Sequence, residues 1–429
     1  MGIKLNFNKQ ILSSSLLKAT SLNGLSIILK ISIGFITSKI IALFIGASGM
    51  ALVGNLRNFI TTIEAFGTLG FENGVVKYVA EHKNEEEKLK KVLSTIFFSV
   101  LVSCFLLSII LFFFSDYFNV LLFGDQFQYS FVFKFLALAL PFYIGNIFLV
   151  ATINGFDDYK KVIYINIIGN FIGLLVSAFL IWEFKTEGAL LSIILTPSFL
   201  FLVSFFFVNK NIKLFDKIDF NSYNFSFLKS MSSYSLMALV SAILGPIVLI
   251  AIRKFIIDKV GIHEAGFWEA MTRISSYYFL FITSLIAIYF FPKMAAAKSN
   301  NETKIIFWKY YKRILPLFIF GLLIIFFLKD FIIQVLFTKE FLPVSKLFFW
   351  QLIGDIFKAA SIILGYQFFA KKMTKAFIIS ELFSLFILYF SSLYFVTIYN
   401  IEGVVIAHSV TYFIYFITLS VYFRKSLFS

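Results

Sequence analysis

The sequence predicts an all-α polytopic membrane protein of about 12 transmembrane helices arranged in two halves. Three observations carry this. The chain of 429 residues is 60% hydrophobic and only 14% charged, far from a soluble globular composition. Apolar runs long enough to cross a hydrocarbon core recur along its whole length. A polar stretch at 209–228 then separates six such runs from six more, and charged positions repeat at similar intervals in both sets.

In chain order the spans fall at roughly 12–44, 53–79, 92–115, 131–153, 162–182, 187–208, 229–253, 266–291, 306–328, 345–369, 375–398 and 403–423. The organisation is therefore 1–208 for an N-terminal six-helix bundle, 209–228 for a cytoplasmic linker and 229–429 for a C-terminal six-helix bundle. Six is even, so both halves enter the membrane from the same side, as in repeats related by an axis along the membrane normal. The repeat shows best around the second span of each half. Lys39, Gly46, Arg57 and Lys77 are separated by 7, 11 and 20 residues; Lys254, Gly261, Arg273 and Lys293 by 7, 12 and 20. A duplicated helix pair whose basic residues face a shared cavity accounts for that spacing. Pro141, Pro197, Pro246 and Pro316 fall inside spans, where each removes a backbone hydrogen bond and invites a kink. Gly169-x-x-x-Gly173 reads as a close contact inside the bundle.

The net charge of +15 does not point to nucleic acid. Lys and Arg cluster in short segments between apolar runs, 23 on one side and 6 on the other, and that asymmetry is a topology signal. It places both termini in the cytoplasm, with Lys4 and Lys9 in an uncleaved N-terminal segment. The single cysteine, Cys104, lies in an apolar run, which leaves no disulfide framework.

Charge inside a span is costly and usually faces a polar interior. Lys30, Arg57 and Arg273 lie well inside spans; Lys39, Arg253 and Lys254 lie near the outer ends of spans one and seven. Arg can grip two phosphate oxygens at once and Lys supplies a compact charge, so this set, together with Lys358 in span ten, suits a diphosphate. Near-terminal Lys39 and Lys254 equally fit snorkelling towards the interface. Glu269 and Arg273, at i and i+4, and Asp355 and Lys358, at i and i+3, can pair on one helix face. Glu64 and Glu381 sit in apolar surroundings that favour the protonated form, which makes them candidates for proton coupling. Lys77 and Lys293 are cations at the cytoplasmic ends of their spans. No P-loop, metal-spaced cluster or large outer loop is present, which disfavours an ATP-driven pump or an enzyme. No cofactor is expected beyond a coupling ion, H⁺ or Na⁺.

The segments GNLRNFITTIEAFGTLGFENGVVKYVA (54–80), SLMALVSAILGPIVLIAIRKFI (235–256), GFWEAMTRISSYYFLFIT (266–283) and WQLIGDIFKAASIILGYQFFAKK (350–372) resemble the Wzx-class flippases. These form the polysaccharide-biosynthesis branch of the multidrug/oligosaccharidyl-lipid/polysaccharide exporter superfamily, and the resemblance spans essentially the whole chain. It implies two six-helix bundles around a central cavity, alternating access, and a bacterial cytoplasmic (inner) membrane. The implied substrate is an undecaprenyl-diphosphate-linked oligosaccharide for O-antigen or related lipopolysaccharide synthesis. A polysaccharide polymerase and a chain-length regulator are implied partners beside membrane lipids. Arg57 and Lys77 fall in the matching second-helix motif, Arg253 and Lys254 in the seventh, Asp355 and Lys358 in the tenth. Glu64, Glu72, Glu269 and Arg273 depart from it. A cation-coupled multidrug antiporter of the same superfamily is the alternative; it should expose unpaired carboxylates, whereas cations outnumber carboxylates within these spans.

Overall fold

In the computed structural model the described residues, 15–212 and 214–428, are helical almost throughout. Lys4, Lys9 and Lys213, three of the cations that indicate topology, lie outside them. Long apolar segments form helices because a backbone in hydrocarbon must satisfy its own hydrogen bonds. Helix α1 (Ser15–Thr68) carries span one and most of span two in one run, folded back at Gly46. There φ is 64° and ψ −164°, a conformation that L side chains rarely adopt. The expected short loop between 44 and 53 is thus replaced by a one-residue turn, and span two begins at Ala47.

After a break at Leu69–Phe71, α2 (Glu72–His82) completes span two. Span three is α3 (Glu86–Phe113), followed by a short α4 (Ser115–Phe123); span four is α5 (Ser130–Gly155). Spans five and six form α6 (Tyr159–Ile212), folded back at Lys185. In the second half, α7 (Phe225–Lys259) is span seven, and Gly261, with φ of 131°, turns the chain into α8 (Ile262–Leu285). A π-helical turn at Ile286–Phe290 and α9 (Phe291–Ala296) finish span eight. Span nine is α10 (Asn300–Phe327), followed by short α11 (Lys329–Leu336) and a 3₁₀ stretch, Lys339–Leu347. Spans ten to twelve are α12 (Phe348–Ala370), α13 (Thr374–Tyr399) and α14 (Glu402–Tyr422); the short α15 (Arg424–Phe428) follows. Among the described residues ten helical rods are long and apolar enough to span, and two of them are folded back, giving twelve crossings. The helices run on through all four in-span prolines.

The halves repeat one another in more than spacing. Gly46 and Gly261, matched in the sequence series, are both positive-φ turns between the first and second helix of a half. Spans two and eight are each broken before their last turns, and spans three and nine are each followed by a short helix. Both short helices lie between the spans that the sequence predicts.

Contact between the halves runs along α1, which packs on α7 and α8. The approach is closest where Gly266 meets the backbone carbonyl of Ala47; a Cβ at Gly266 would stand 1.9 Å from that oxygen. Gly169 and Gly173 instead face Leu200 and Thr196, so that motif joins span five to span six within one half. The connection between the halves folds onto α3. Ser94 Oγ accepts from Asp219 N at 2.9 Å, Thr95 Oγ1 accepts from Asn224 N at 3.0 Å, and Lys90 pairs with Asp219 at 3.2 Å. The Asn221 backbone N–H and then Lys90 hold the Asp219 carboxyl below its usual range. Outwards, Phe105, Leu138, Leu175 and Phe327 present exposed apolar side chains to the hydrocarbon.

Gly266→Ala should lower the thermal midpoint of the purified protein, because overpacking typically costs about 1–3 kcal/mol. Gly321→Ala, where nothing stands within 4 Å, should leave it unchanged. Equal midpoints for both variants and the parent would contradict this account of the seam.

Candidate functional site

Three arginines from the two halves converge in the interior. Gly46 and Gly261 turn their helix pairs at the same end of the molecule, which brings the start of span two beside the end of span seven and the first turns of span eight. Glu269 and Arg273 pair at 3.1 Å, as their i, i+4 spacing predicts. The other carboxylate oxygen of Glu269 accepts from Arg253 Nη2 at 2.6 Å. Arg253 also donates from Nη1 to Asn55 Oδ1 at 3.1 Å and stacks its guanidinium over Trp268, 5.1 Å from the ring centre. Asn55 in turn donates to Leu122 O at 2.7 Å. Arg273 Nη1 reaches Ser38 Oγ at 3.4 Å, and Ser38 bonds the Tyr277 hydroxyl at 2.9 Å. Arg253, Glu269 and Arg273 are all buried, and Arg253 Nε and Arg273 Nη2 have no acceptor.

This network clasps the halves together at the end marked by Gly46 and Gly261. It exists because Gly54 has no side chain: a Cβ there would lie 2.4 Å from Glu269 Oε2 and 2.9 Å from Arg253 Cζ. Two guanidiniums share one carboxylate, so the clasp carries a net positive charge. Arg57 adds another. It stands within electrostatic reach of Arg273, Glu269 and Tyr277 and forms no ion pair among the described residues. Its side chain is exposed and lines a cavity of about 310 Å³. Thr37, Asn166, Asn170, Ser177 and Ser192 line the same cavity, a polar wall suited to water or hydroxyls. Lys30 is exposed on α1, on one helical stripe with Ile33, Thr37 and Ile41, which line that cavity. A second, apolar groove of about 430 Å³ runs between the halves beside Tyr277, walled by Ile31 and Phe35 on one side and Ile274, Ile325 and Val335 on the other.

Several expectations need correction. Arg253 is not a free cavity cation, since it is buried and held by Glu269 and Asn55. Lys254, one residue on, points away from it and is exposed. Lys39 donates to the carbonyls of Gln334, at 2.8 Å, and Phe337, so it caps α11 instead of facing a ligand. Asp355 and Lys358 share a face but form no ion pair within the described residues. Asp355 is fully buried and accepts from Ser275 Oγ at 2.8 Å, Tyr278 OH, Gln351 Nε2 at 3.2 Å and His408 Nε2 at 2.9 Å. Lys358 lies over the rings of Phe279, at 4.7 Å, and Tyr412, at 5.3 Å. His408 is part of this network and joins α14 to α8 and α12.

The remaining carboxylates are separate. Glu64 accepts from the Tyr143 hydroxyl at 3.2 Å, and Glu381 from Ser241 at 3.5 Å. Lys77 and Lys293 sit exposed at the opposite end from Gly46, near Tyr78 and over Tyr289 respectively. Ser38, Gly54, Asn55 and Tyr277 were missed by sequence reasoning. Gly54 and Asn55 head a segment already singled out, but small neutral residues carry no charge signal.

Glu269→Gln should strongly destabilise the protein, since breaking a buried ion pair costs about 3–5 kcal/mol. Asn55→Leu should cost about 1–3 kcal/mol, the penalty of an unsatisfied buried partner. Thermal unfolding in detergent, with the Asn55/Arg253 double variant to measure coupling, checks both. Additive losses in the double variant would show that the two residues do not interact.

Comparison with known proteins agrees with this architecture. Residues 16–298 match the family model for polysaccharide biosynthesis proteins. The chain is 27% identical over 403 residues to the Lipid III flippases of Escherichia coli K12 and Shigella flexneri, covering 94% of this chain and 96% of each of theirs. In fold it is similar to an inward-facing multidrug resistance MATE family transporter of the MOP superfamily, with a TM-score of 0.78 at 13% identity over 92% of this chain and 95% of that one. It is also similar to the lipid II flippase MurJ in an inward closed conformation, with a TM-score of 0.70 at 17% identity over 95% and 87% of the two chains. Two six-helix bundles, a charged interior and a family match over most of its length place this multi-pass membrane protein in the polysaccharide biosynthesis protein family.

Proposed function

We propose that the protein is a flippase that moves an undecaprenyl-diphosphate-linked oligosaccharide from the cytoplasmic to the outer leaflet of the bacterial inner membrane, by alternating access. The likeness to the Lipid III flippases supports the substrate class. The observation that carries the reading is the excess of positive charge where the halves meet. Arg57, Arg253 and Arg273 face a single carboxylate, Glu269, and two of their N–H groups lack acceptors. A buried charge excess of this kind calls for an anion, and a diphosphate supplies two charges and bidentate oxygens.

In this reading both termini and the 209–228 linker are cytoplasmic, so the Gly46 and Gly261 turns lie on the outer side and the clasp closes that side. The diphosphate enters from the cytoplasmic leaflet and binds Arg57, with Lys30 on the same wall. It then competes with Glu269 for Arg273, which loosens the clasp as the anion is held and couples binding to opening. The sugar occupies the polar cavity beside Asn166 and Asn170, and the polyprenyl tail lies in the apolar groove between Ile31 and Ile325. Residues 1–208 and 229–429 rock as the two bodies. Lys358, engaged by Phe279 and Tyr412, supports the second half and is a weaker candidate for direct contact. No group in this scheme performs covalent chemistry, so transport without catalysis is part of the proposal. The product is a repeat unit for O-antigen or related polysaccharide, delivered to a polymerase and chain-length regulator outside.

An interior-negative potential favours outward movement of an anion by about 2.3 kcal/mol per charge per 100 mV. Proton or sodium exchange through Glu64, Glu381 or the Asp355–His408 pair is the competing source of drive. Flipping in vesicles should accelerate with an imposed negative potential; indifference to it would leave ion exchange as the driver.

Binding of the purified protein to undecaprenyl-diphosphate oligosaccharide, beside a lipophilic drug cation, tests the function directly. Arg57→Ala should weaken lipid binding about 10- to 100-fold, the worth of a charge-assisted hydrogen bond, with unchanged thermal stability. Preference for the drug cation would instead make the protein a multidrug antiporter.

A further inference from the structure

A polar cavity larger than the one beside Arg57 lies elsewhere in the molecule. A cleft of about 1020 Å³ opens at the end of the C-terminal half opposite to Gly261, where α9 meets α10, α12 ends and α14 passes into α15. Lys298, Lys371, Arg424 and Lys425 line it, and so does the start of α10, whose aligned peptide dipoles add positive potential. Glu302, the nearby carboxylate, is committed to the helix cap. Its Oε2 accepts from Lys298 N at 2.8 Å, and its own N–H donates to Ser299 Oγ at 3.2 Å. Lys371 is spent on the carbonyls of Ala295 and Ala297. Lys298, Arg424 and Lys425 form no ion pair among the described residues.

Two features separate this cleft from an ordinary basic loop. First, Arg424 and Lys425 are held over it. Ser426 Oγ donates to Asn300 Oδ1 at 2.9 Å and Trp308 Nε1 to Leu427 O at 2.8 Å, which fixes α15 against α10. Second, Gln367 lines the cleft, is 4% exposed, and its Oε1 has no hydrogen-bond partner. A buried acceptor without a donor is costly and asks for a ligand hydroxyl. Exposed Val421, Tyr422 and Phe428 flank the basic residues with apolar surface.

We propose that this cleft binds the phosphoglycerol headgroup of an anionic lipid, its phosphate on Lys298, Arg424 and Lys425, its free hydroxyl on Gln367 Oε1 and its acyl chains along Val421 and Phe428. A phosphate alone leaves Gln367 unpaired, and an ethanolamine headgroup would bring a cation among four others. Basic pockets at helix ends bind anionic headgroups in this way.

The experiment measures lipid retained by the purified full-length protein, by native mass spectrometry, after exchange into mixtures of phosphatidylglycerol, phosphatidic acid and phosphatidylethanolamine. The parent should retain phosphatidylglycerol in preference to both others. Arg424→Gln with Lys425→Gln should reduce retention about 10- to 30-fold. Gln367→Leu, which removes the unpaired acceptor while conserving volume, should abolish the preference over phosphatidic acid and leave the fold intact. Lys160→Gln with Lys161→Gln, on another basic turn, should change nothing. Equal loss in that control, or equal retention of phosphatidylethanolamine, would reduce the effect to general surface charge and overturn the site. Full displacement by soluble glycerol 3-phosphate at matched concentration would assign the cleft to a soluble phosphate and overturn the lipid.

Discussion

One carboxylate between two guanidiniums governs how the halves of this molecule meet. Glu269 compensates Arg253 and Arg273 from opposite oxygens, and the surplus donors are passed to Asn55 and Ser38 across the seam. Charges removed from water are tolerable only when their geometry is good and their remaining hydrogen bonds are met. Here they are met incompletely, which makes the clasp both specific and breakable. Small residues set its dimensions: Gly54 admits Glu269, and Gly266 admits the backbone of Ala47.

The Asp355 network is the counterpart within one half. Four donors from α8, α12 and α14 converge on one buried carboxylate, so these helices are tied into a single body. Lys358 next to it is occupied by aromatic faces, which spreads its charge without committing it to Asp355. The two networks therefore divide the work. The Asp355 network ties helices of the second half together, and the Glu269 clasp joins that half to the first.

A polar cavity within the first half and an apolar groove between the halves share α1 as a wall. Tyr277 borders the groove, with its hydroxyl on Ser38 and its ring against Phe35 at 4.8 Å. A substrate with a charged group, a hydrated sugar and a long hydrocarbon tail requires that adjacency. The charge would otherwise be dragged into lipid or the tail into water, and either costs several kcal/mol.

The sequence by itself determined the class, the number of crossings and the internal repeat, because hydrocarbon imposes span length and apolarity on every segment. Even the turns were present in it, since Gly46 and Gly261 are the residues that tolerate a positive φ. It also singled out Arg57 and the Glu269–Arg273 pair, because a charge inside a span and an i, i+4 spacing are local facts. Tertiary structure decided which charges are free. Arg253, Lys39 and Asp355 look alike in the sequence as in-span ionisable groups, yet one is clasped, one caps a helix and one holds a hydrogen-bond network. Their partners, Asn55, Phe337 and His408, lie 53 to 298 residues away. Side-chain pairing over such separations depends on how helices rotate and tilt against each other, and helical periodicity within a single span carries no record of it.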